Sequence, residues 1–312
     1  MNNRKHKVVA LSLAALLTVG TGSLRVGAVS RPDALTAETS AASAYEGARA
    51  RSYLSLASVT NKNVWSYSRP TVAVGGKSLA VKGITIGSTE YIPFRAAAEA
   101  LGAKYSYNSG TKVATMSANG LYMTAGSGCY VSYANDRVLF SISPTVIMSD
   151  GRMYLPVEVF AKATGMSVAR SSGYLRLEGN YSPITPASRF YRSDEVFWLA
   201  RIIHAESSGE PLLGKIAVGG VVLNRVSSPL YPNTIYSVIF DRKWGVQFSP
   251  ILNGTIYNTP SYNSTLAAKI CLEGYDVTGG ALFFLEPRLS SSSWIPTSRE
   301  YAFTVGRHDF YK

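Results

Sequence analysis

The chain has 312 residues, with 31 Lys and Arg against 19 Asp and Glu for a formal charge of +12, and only 2 Cys and 3 His. So few Cys and His exclude a disulfide scaffold and a closely spaced metal site. The basic excess contains no Arg- or Lys-rich cluster or reader motif of the kind that marks a nucleic-acid binder.

Residues 1–28 begin with Arg4, Lys5, His6 and Lys7, continue through the apolar run VVALSLAALLTV, and end in small residues before a cleavage point after Ala28. This is the pattern of a secretory signal peptide, too short in its apolar run for a comfortable permanent anchor. Removing Arg4, Lys5, Lys7 and Arg25 lowers the charge from +12 to +8, and Phe190 to Lys312 carries 11 basic and 10 acidic residues, so the excess sits on 29–189. Outside a cell such a surface favours anionic polymers, wall teichoic acids among them.

Residues 29–69, rich in Ala, Ser, Thr and Arg, read as a mobile linker. Residues 70–179 form the first module and contain an internal repeat: YIPFRAAAEALGAKY, from Tyr91, aligns with YLPVEVFAKATGMSV, from Tyr154. Each copy predicts a strand, a proline at the start of a short helix, a glycine that ends it, and a second strand. Between the copies KVATMSA, GLYMTA, CYVSYA and RVLFSI predict short strands, giving an α+β module. Residues 180–189, NYSPITPASR, read as a second linker, so 190–312 stands as a separate domain.

That last domain opens with a predicted helix over Asp194–Glu206. Leu199, Ile202, Ile203 and Glu206 fall at i, i+3, i+4 and i+7, which puts one carboxyl on the inward stripe. Desolvation there, together with the negative end of the helix dipole ahead of Gly209, predicts a raised pKa and a carboxyl that stays protonated near neutrality. Such a group can protonate a leaving oxygen; a structural Glu paired to an Arg is the alternative reading of the same spacing. A second predicted helix starts near Pro211 and buries Leu213, Ile216, Ala217, Gly220 and Val221, with Gly219 and Gly220 allowing close helix contact. A third, capped by Ser264 or Thr265, ends near Gly274 and holds Cys271 as a buried thiol, while Cys129 has no local partner. ALFFLEP and YAFTVGRHDFYK predict strands, and WGVQFSPILNGTIYNTP, from Trp244, a turn-rich groove wall.

The (I/L)P and LG or TG pattern around the short helices of 70–179 resembles the copper amine oxidase amino-terminal-like domain, a stalk module of secreted bacterial wall proteins. No copper site is implied, because no His lies between His6 and His204. Positioning or wall attachment is the role the resemblance implies.

HAESSGEP, GKIAVGGVVLNRV, YPNTIYSVIFD, QFSPILNG, TGGALFF and GRHDFY, in that order across 190–312, resemble the cell wall hydrolases of the spore cortex-lytic, SleB-like type. The resemblance implies a lysozyme-like α+β domain that cleaves peptidoglycan glycan strands between N-acetylmuramic acid and N-acetylglucosamine, mostly as a lytic transglycosylase, without cofactor or metal. It carries the catalytic role to Glu206. Gln247 and Phe248 match a family motif and are candidates to bond and stack on sugar; Trp244 and Trp294 offer flat faces. His308 and Tyr311 match the terminal motif and are candidates for the groove or for closing the fold. Glu210 is the nearest second carboxyl, and it can instead cap the next helix; His204, two residues before Glu206, points elsewhere on the helix.

A hydrolytic muramidase or glucosaminidase needs a second carboxylate about 5–9.5 Å from the first, whereas a transglycosylase needs one. A zinc amidase, a Cys/His peptidase and a non-catalytic wall-binding protein are the remaining classes; two mature His residues and a helical, apolar Cys271 disfavour the first two. The expected location is outside the cell and wall-associated, at the spore cortex or the spore envelope.

Overall fold

The computed structural model describes residues 67–147, 151–243, 245–290 and 294–312. The signal peptide, nearly all of the 29–69 segment and Trp244 lie outside the described residues. No helix among the described residues is long and apolar enough to cross a membrane.

The amino-terminal domain is built on the repeat. In each copy a strand, Thr89–Pro93 or Met153–Pro156, runs directly into a helix, α1 (Phe94–Ala100) or α2 (Val157–Thr164). The two prolines occupy the N-cap, one position earlier than predicted, with extended ψ near 107° and 129° that suits the end of a strand. The two repeat strands pair antiparallel with each other, Leu155 opposite Ile92 and Pro156 opposite Tyr91, so the copies meet at the centre of one sheet. Phe94 and Phe160, the first and fourth residues of the two helices, cross edge to face at 6.2 Å and anchor the core under that sheet.

Between the copies five strands form an antiparallel meander from Lys104–Asn108 to Arg137–Phe140. Its last hairpin turns at Asn135 and Asp136, both with positive φ (49° and 64°), as a two-residue turn of the right twist requires. Val131, Tyr133 and Val138 of this hairpin leave the domain's own core and join the core of the next domain.

In the carboxy-terminal domain α3 (Ser193–Ser207) and α4 (Leu212–Ser227) pack against α5 (Tyr262–Leu272), with a three-stranded antiparallel sheet, Phe283–Leu285, His308–Tyr311 and Tyr301–Val305, beside α4. Ser261, not Ser264 or Thr265, caps α5, its hydroxyl accepting from the Ser264 amide. Ser264 is inside the first turn and buried. Leu199, Ile202 and Ile203 of α3 and Ile216, Ala217 and Val221 of α4 are fully buried, and each large aliphatic side chain so placed contributes roughly 1.5–3 kcal/mol.

Gly219 sets how closely the three helices approach. A Cβ there would lie 2.7 Å from Ile203 Cδ1 and 2.8 Å from Cys271 Sγ. Gly219→Val is therefore expected to lower stability by about 1–3 kcal/mol through overpacking, read as a lower thermal midpoint. An unchanged midpoint would show that the helices can separate freely.

The proline-containing segment 180–189 is not a free linker. Its backbone bonds go to the amino-terminal domain: the Ser182 and Ile184 amides donate to Thr164 and Ala163 carbonyls, and the Asn135 side chain donates to Ile184 O. A Cβ on Gly165 would sit 2.3 Å from Ser182 O, which is why this position, at φ 70°, is glycine. Composition reads as a linker between domains, whereas satisfied polar groups and a buried Ile184 tie the segment to the amino-terminal domain.

A buried ionic cluster then joins the domains. Glu273, just past α5, accepts from Arg137 Nε and Nη2 at 2.8 and 2.6 Å and from Tyr191 Oη at 2.6 Å, and pairs with Lys162 Nζ at 2.9 Å. Burial pushes the Glu273 carboxyl up, but its hydrogen bonds and the lysine charge outweigh that and hold it below the usual range. Arg137 also lies 3.3 Å from the centre of the Phe190 ring.

Candidate active site

Glu206 sits in the last turn of α3, above the buried stripe that the spacing predicted, and remains partly exposed. Its carboxyl has no hydrogen-bond or ion-pair partner among the described residues. Burial pushes its pKa up to about 7, and the positive charge of Arg225 pulls it less strongly the other way. The expected contribution of the helix end is offset by a residue that the spacing argument passed over. Lys215, buried on α4, donates its ammonium to the carbonyls of Ser207 and Ser208, at 2.9 Å for the latter, and so places a positive charge on the terminal carbonyls of α3.

Arg225 is the second residue missed. It lies on α4 at 5% exposure, with Nε donating to Leu282 O at 2.8 Å and its guanidinium 5.1 Å from the Tyr231 and Phe248 ring centres and 5.6 Å from Phe283. Both Lys215 and Arg225 occupy a helix that is otherwise apolar nearly all round, the same signal that drew attention to Glu206.

The other candidates separate. Glu210 is buried: Oε2 accepts from the Arg307 amide at 3.0 Å, and Oε1 is 3.9 Å from His308 Nδ1. Gly306 has φ 62°, and a Cβ there would overlap the Glu210 carboxylate, so Glu210 closes the turn between the last two strands instead of facing the groove. His308 is 6% exposed, stands against Phe284 at 5.4 Å, and is kept neutral by burial despite nearby carboxylates. His204 is likewise driven towards the neutral form, by burial first and by Lys215 second.

Phe248 is 2% exposed and belongs to the core beneath Arg225, which corrects its expected role as a sugar-stacking face. Tyr311 is also buried, pairs edge to face with Tyr301, and closes the sheet. Gln247 remains partly exposed, its amide donating to the nearby Gly245 carbonyl. Trp294 is 53% exposed and packs edge to face on Phe283 at 5.8 Å, and the Phe283 ring centre in turn lies 5.6 Å from the Arg225 guanidinium.

The remaining acids of the domain are mostly engaged. Asp276 accepts from Thr278, Asp309 from Thr304, Asp241 from the Lys243 amide, and Glu300 pairs with Lys312. Asp194 and Glu195 pair with Arg192, and Glu273 is held between the domains. Glu286 has no side-chain hydrogen-bond or ion-pair partner among the described residues, and its charge bears on His308. No group of three or more His, Cys, Asp or Glu among the described residues is placed to hold a metal ion, and Cys271 is buried with its thiol pushed up by burial, away from nucleophilic form.

Residues 209–311 match the Cell Wall Hydrolase family, and residues 73–175 match the Copper amine oxidase N-terminal domain family. Curated relatives called spore cortex-lytic enzyme include one from Bacillus cereus, 38% identical over 39% of this chain and 46% of its own length. Another, from Halalkalibacterium halodurans, is 33% identical over 43% of this chain and 39% of its own length. The chain thus spans under half the length of these relatives. A solved catalytic domain of the germination-specific lytic transglycosylase SleB from Bacillus anthracis is 37% identical, covering 41% of this chain and 100% of that one, with a TM-score of 0.37. The helix that carries Lys215 and Arg225 and the sheet that Glu210 closes thus lie within the region similar to the Cell Wall Hydrolase family, Glu206 stands just ahead of that region, and the repeat domain lies within the region similar to the Copper amine oxidase N-terminal domain family.

Proposed function

We propose that this protein cleaves the glycan strands of peptidoglycan between N-acetylmuramic acid and N-acetylglucosamine as a lytic transglycosylase, with Glu206 as its acid and base. The observation that carries this reading is one unpartnered, partly exposed carboxyl held protonated near neutrality, in a domain whose other acids are mostly bound elsewhere. A hydrolase must keep a second carboxylate free to activate water or attack the sugar, and of the domain's remaining acids Glu286 is the one left for that role.

The proposed cycle balances without water. Glu206 gives its proton to the glycosidic oxygen as the bond from that oxygen to the muramic acid anomeric carbon breaks, releasing a free hydroxyl on the leaving sugar. The Glu206 carboxylate then takes the proton of the muramic acid 6-hydroxyl as its oxygen bonds to the anomeric carbon, closing a 1,6-anhydro ring and restoring the acid. Trp294, which is exposed, and Gln247, which is partly exposed, are the residues proposed to meet sugar. The amino-terminal domain, whose residues 70–179 carry 10 basic against 6 acidic residues, fits attachment to anionic wall polymers, and the leader fits export to the wall or spore cortex.

Fragments released from purified cortex and vegetative sacculi, analysed by mass spectrometry, test the reading: anhydromuramic ends support it and free stem peptides overturn it. Reducing ends would make Glu286 the second carboxylate of a hydrolase, to be checked with Glu286→Gln. Because the protonated form of Glu206 starts the reaction and its folded pKa is raised, activity is expected to hold below pH 7 and fall as pH rises through about 7. A basic limb above pH 9 would remove Glu206 as the titrating acid.

A further inference from the structure

Trp294 opens the short helix Trp294–Ser298 and Arg299 follows it, and that one turn brings their side chains together. The Arg299 amide donates to Ile295 O at 3.0 Å, and the hydroxyls of Thr297 and Ser298 donate to Trp294 O at 3.2 and 2.6 Å, so the turn is closed by its own bonds. The Arg299 guanidinium lies 5.1 Å from the Trp294 ring centre and 4.6 Å from that of Phe283, while the two rings meet edge to face. Both Trp294 and Arg299 remain exposed. No carboxylate pairs with Arg299 among the described residues, and Glu300, its neighbour in sequence, is turned to Lys312 at 3.1 Å. A second guanidinium, that of Arg225, lies 5.6 Å from the same Phe283 ring and bonds to a backbone oxygen, not to a carboxylate. Two cations without an ion-pair partner around one ring are a local surplus of positive charge in a domain otherwise close to balance.

We propose that Trp294 and Arg299 form a subsite for a sugar that displays a carboxylate, with the apolar face of the sugar on the indole and the carboxylate on the guanidinium. Arg299 is then a specificity-determining residue that favours acidic over neutral strands. This deepens, and rests on, the reading of peptidoglycan glycan as the substrate. An indole takes the C–H face of any pyranose, so Trp294 alone does not tell one sugar from another. A guanidinium meets a carboxylate with two parallel N–H donors, in bonds shorter and stronger than neutral ones. A free arginine loses rotamer freedom when it is fixed; here two rings already hold it, so less is lost when the anion arrives. The rings hold the cation by their faces without cancelling its charge, which a carboxylate partner would do. Muramic acid differs from glucosamine by a lactyl ether that ends in a carboxyl. In a strand that carboxyl is either free or joined to a peptide stem with carboxylates of its own, and both supply the same chemistry.

The test is calorimetric binding of soluble strands by the full chain, with cleavage of the same strands followed in parallel. Three preparations are compared: strands with intact stems, strands stripped of stems so that the lactyl carboxylates are free, and strands with every carboxyl converted to an amide. The parent is expected to bind the amidated strands about tenfold more weakly than at least one of the charged ones. Arg299→Gln is expected to reduce that difference to less than about twofold, and Arg299→Lys, which keeps the charge without the fork, to keep a preference of about threefold. Trp294→Ala is expected to weaken all three preparations alike. A preference confined to intact strands assigns the carboxylate to the stem, and one shared by or confined to stripped strands assigns it to the lactyl group. The comparison of strands in the parent needs no variant, and because Arg299 is exposed its variants are expected to keep the parent's thermal midpoint. Equal binding of all three preparations by the parent, or a preference that survives in Arg299→Gln, overturns the proposal. Charged strands that bind as expected but remain uncut would instead overturn the reading of the protein as a glycan-cleaving enzyme, so the two failures are distinct.

Discussion

Glu206→Gln is expected to lower the rate of glycan cleavage by about 10³-fold while the protein still folds and still sediments with sacculi. Gln keeps the shape and hydrogen-bonding size of the side chain but has no proton to give at neutral pH, so the loss measures general acid and base catalysis alone. Stability separates this outcome from simple damage. The folded pKa of Glu206 is raised to about 7, so its ionised form is penalised by burial, and the penalty grows from the ordinary carboxylate value up through pH 7. The variant has no charge to desolvate and is expected to unfold at a temperature equal to or above that of the parent at pH 8. A variant that retained a tenth of the parent's activity would end the assignment of Glu206.

Glu273→Leu carries the second large effect. It removes the centre of the cluster that joins the domains and leaves Arg137, with a side chain 9% exposed, without its carboxylate. Breaking a buried pair from one side costs roughly 3–5 kcal/mol, and at this chain size a loss of that order lowers the thermal midpoint by about 10 °C. The same residue gives the interface a pH dependence of known sign. Because its folded pKa is depressed, Glu273 contributes its stability in full above the ordinary carboxylate value of about 4.3 and loses it as the pH falls through the lower, folded value. Proteolysis between the domains is therefore expected to begin only at a pH below the ordinary carboxylate range in the parent and already at neutral pH in the variant. A Glu273→Leu protein as resistant as the parent would show that the apolar contacts of Val131, Tyr133 and Val138 hold the domains unaided.

What was legible in the sequence was local. The period of Leu199, Ile202, Ile203 and Glu206 is written along one helix, and so are the proline and glycine that bound each copy of the repeat. The two glycines of α4 signalled close packing, and Gly219 delivers it against Ile203 and Cys271. What was not legible depends on partners far away in the chain. Glu210, four residues from Glu206, read as either a second carboxyl or a cap for the next helix, but its partner is the amide of Arg307, 97 residues on. Glu273 showed no local signal at all, since its partners are Arg137, Lys162 and Tyr191. Phe248 sat in a turn-rich motif that reads as surface, yet its ring is needed beneath a buried cation. The segment 180–189 has a linker's composition, and only the destinations of its backbone hydrogen bonds reveal that it is tied down.

That tied segment, with the ionic cluster beside it, has a consequence for where cuts fall. An enzyme on a flexible leash samples a sphere whose radius grows with the square root of the leash length, and it trims whatever lies inside. Here Glu206 is held at one offset from the amino-terminal domain by the tied segment and the ionic cluster. On the proposed function, wherever that domain were held, cleavage would fall on a thin shell at a set standoff, as with a blade mounted on an arm.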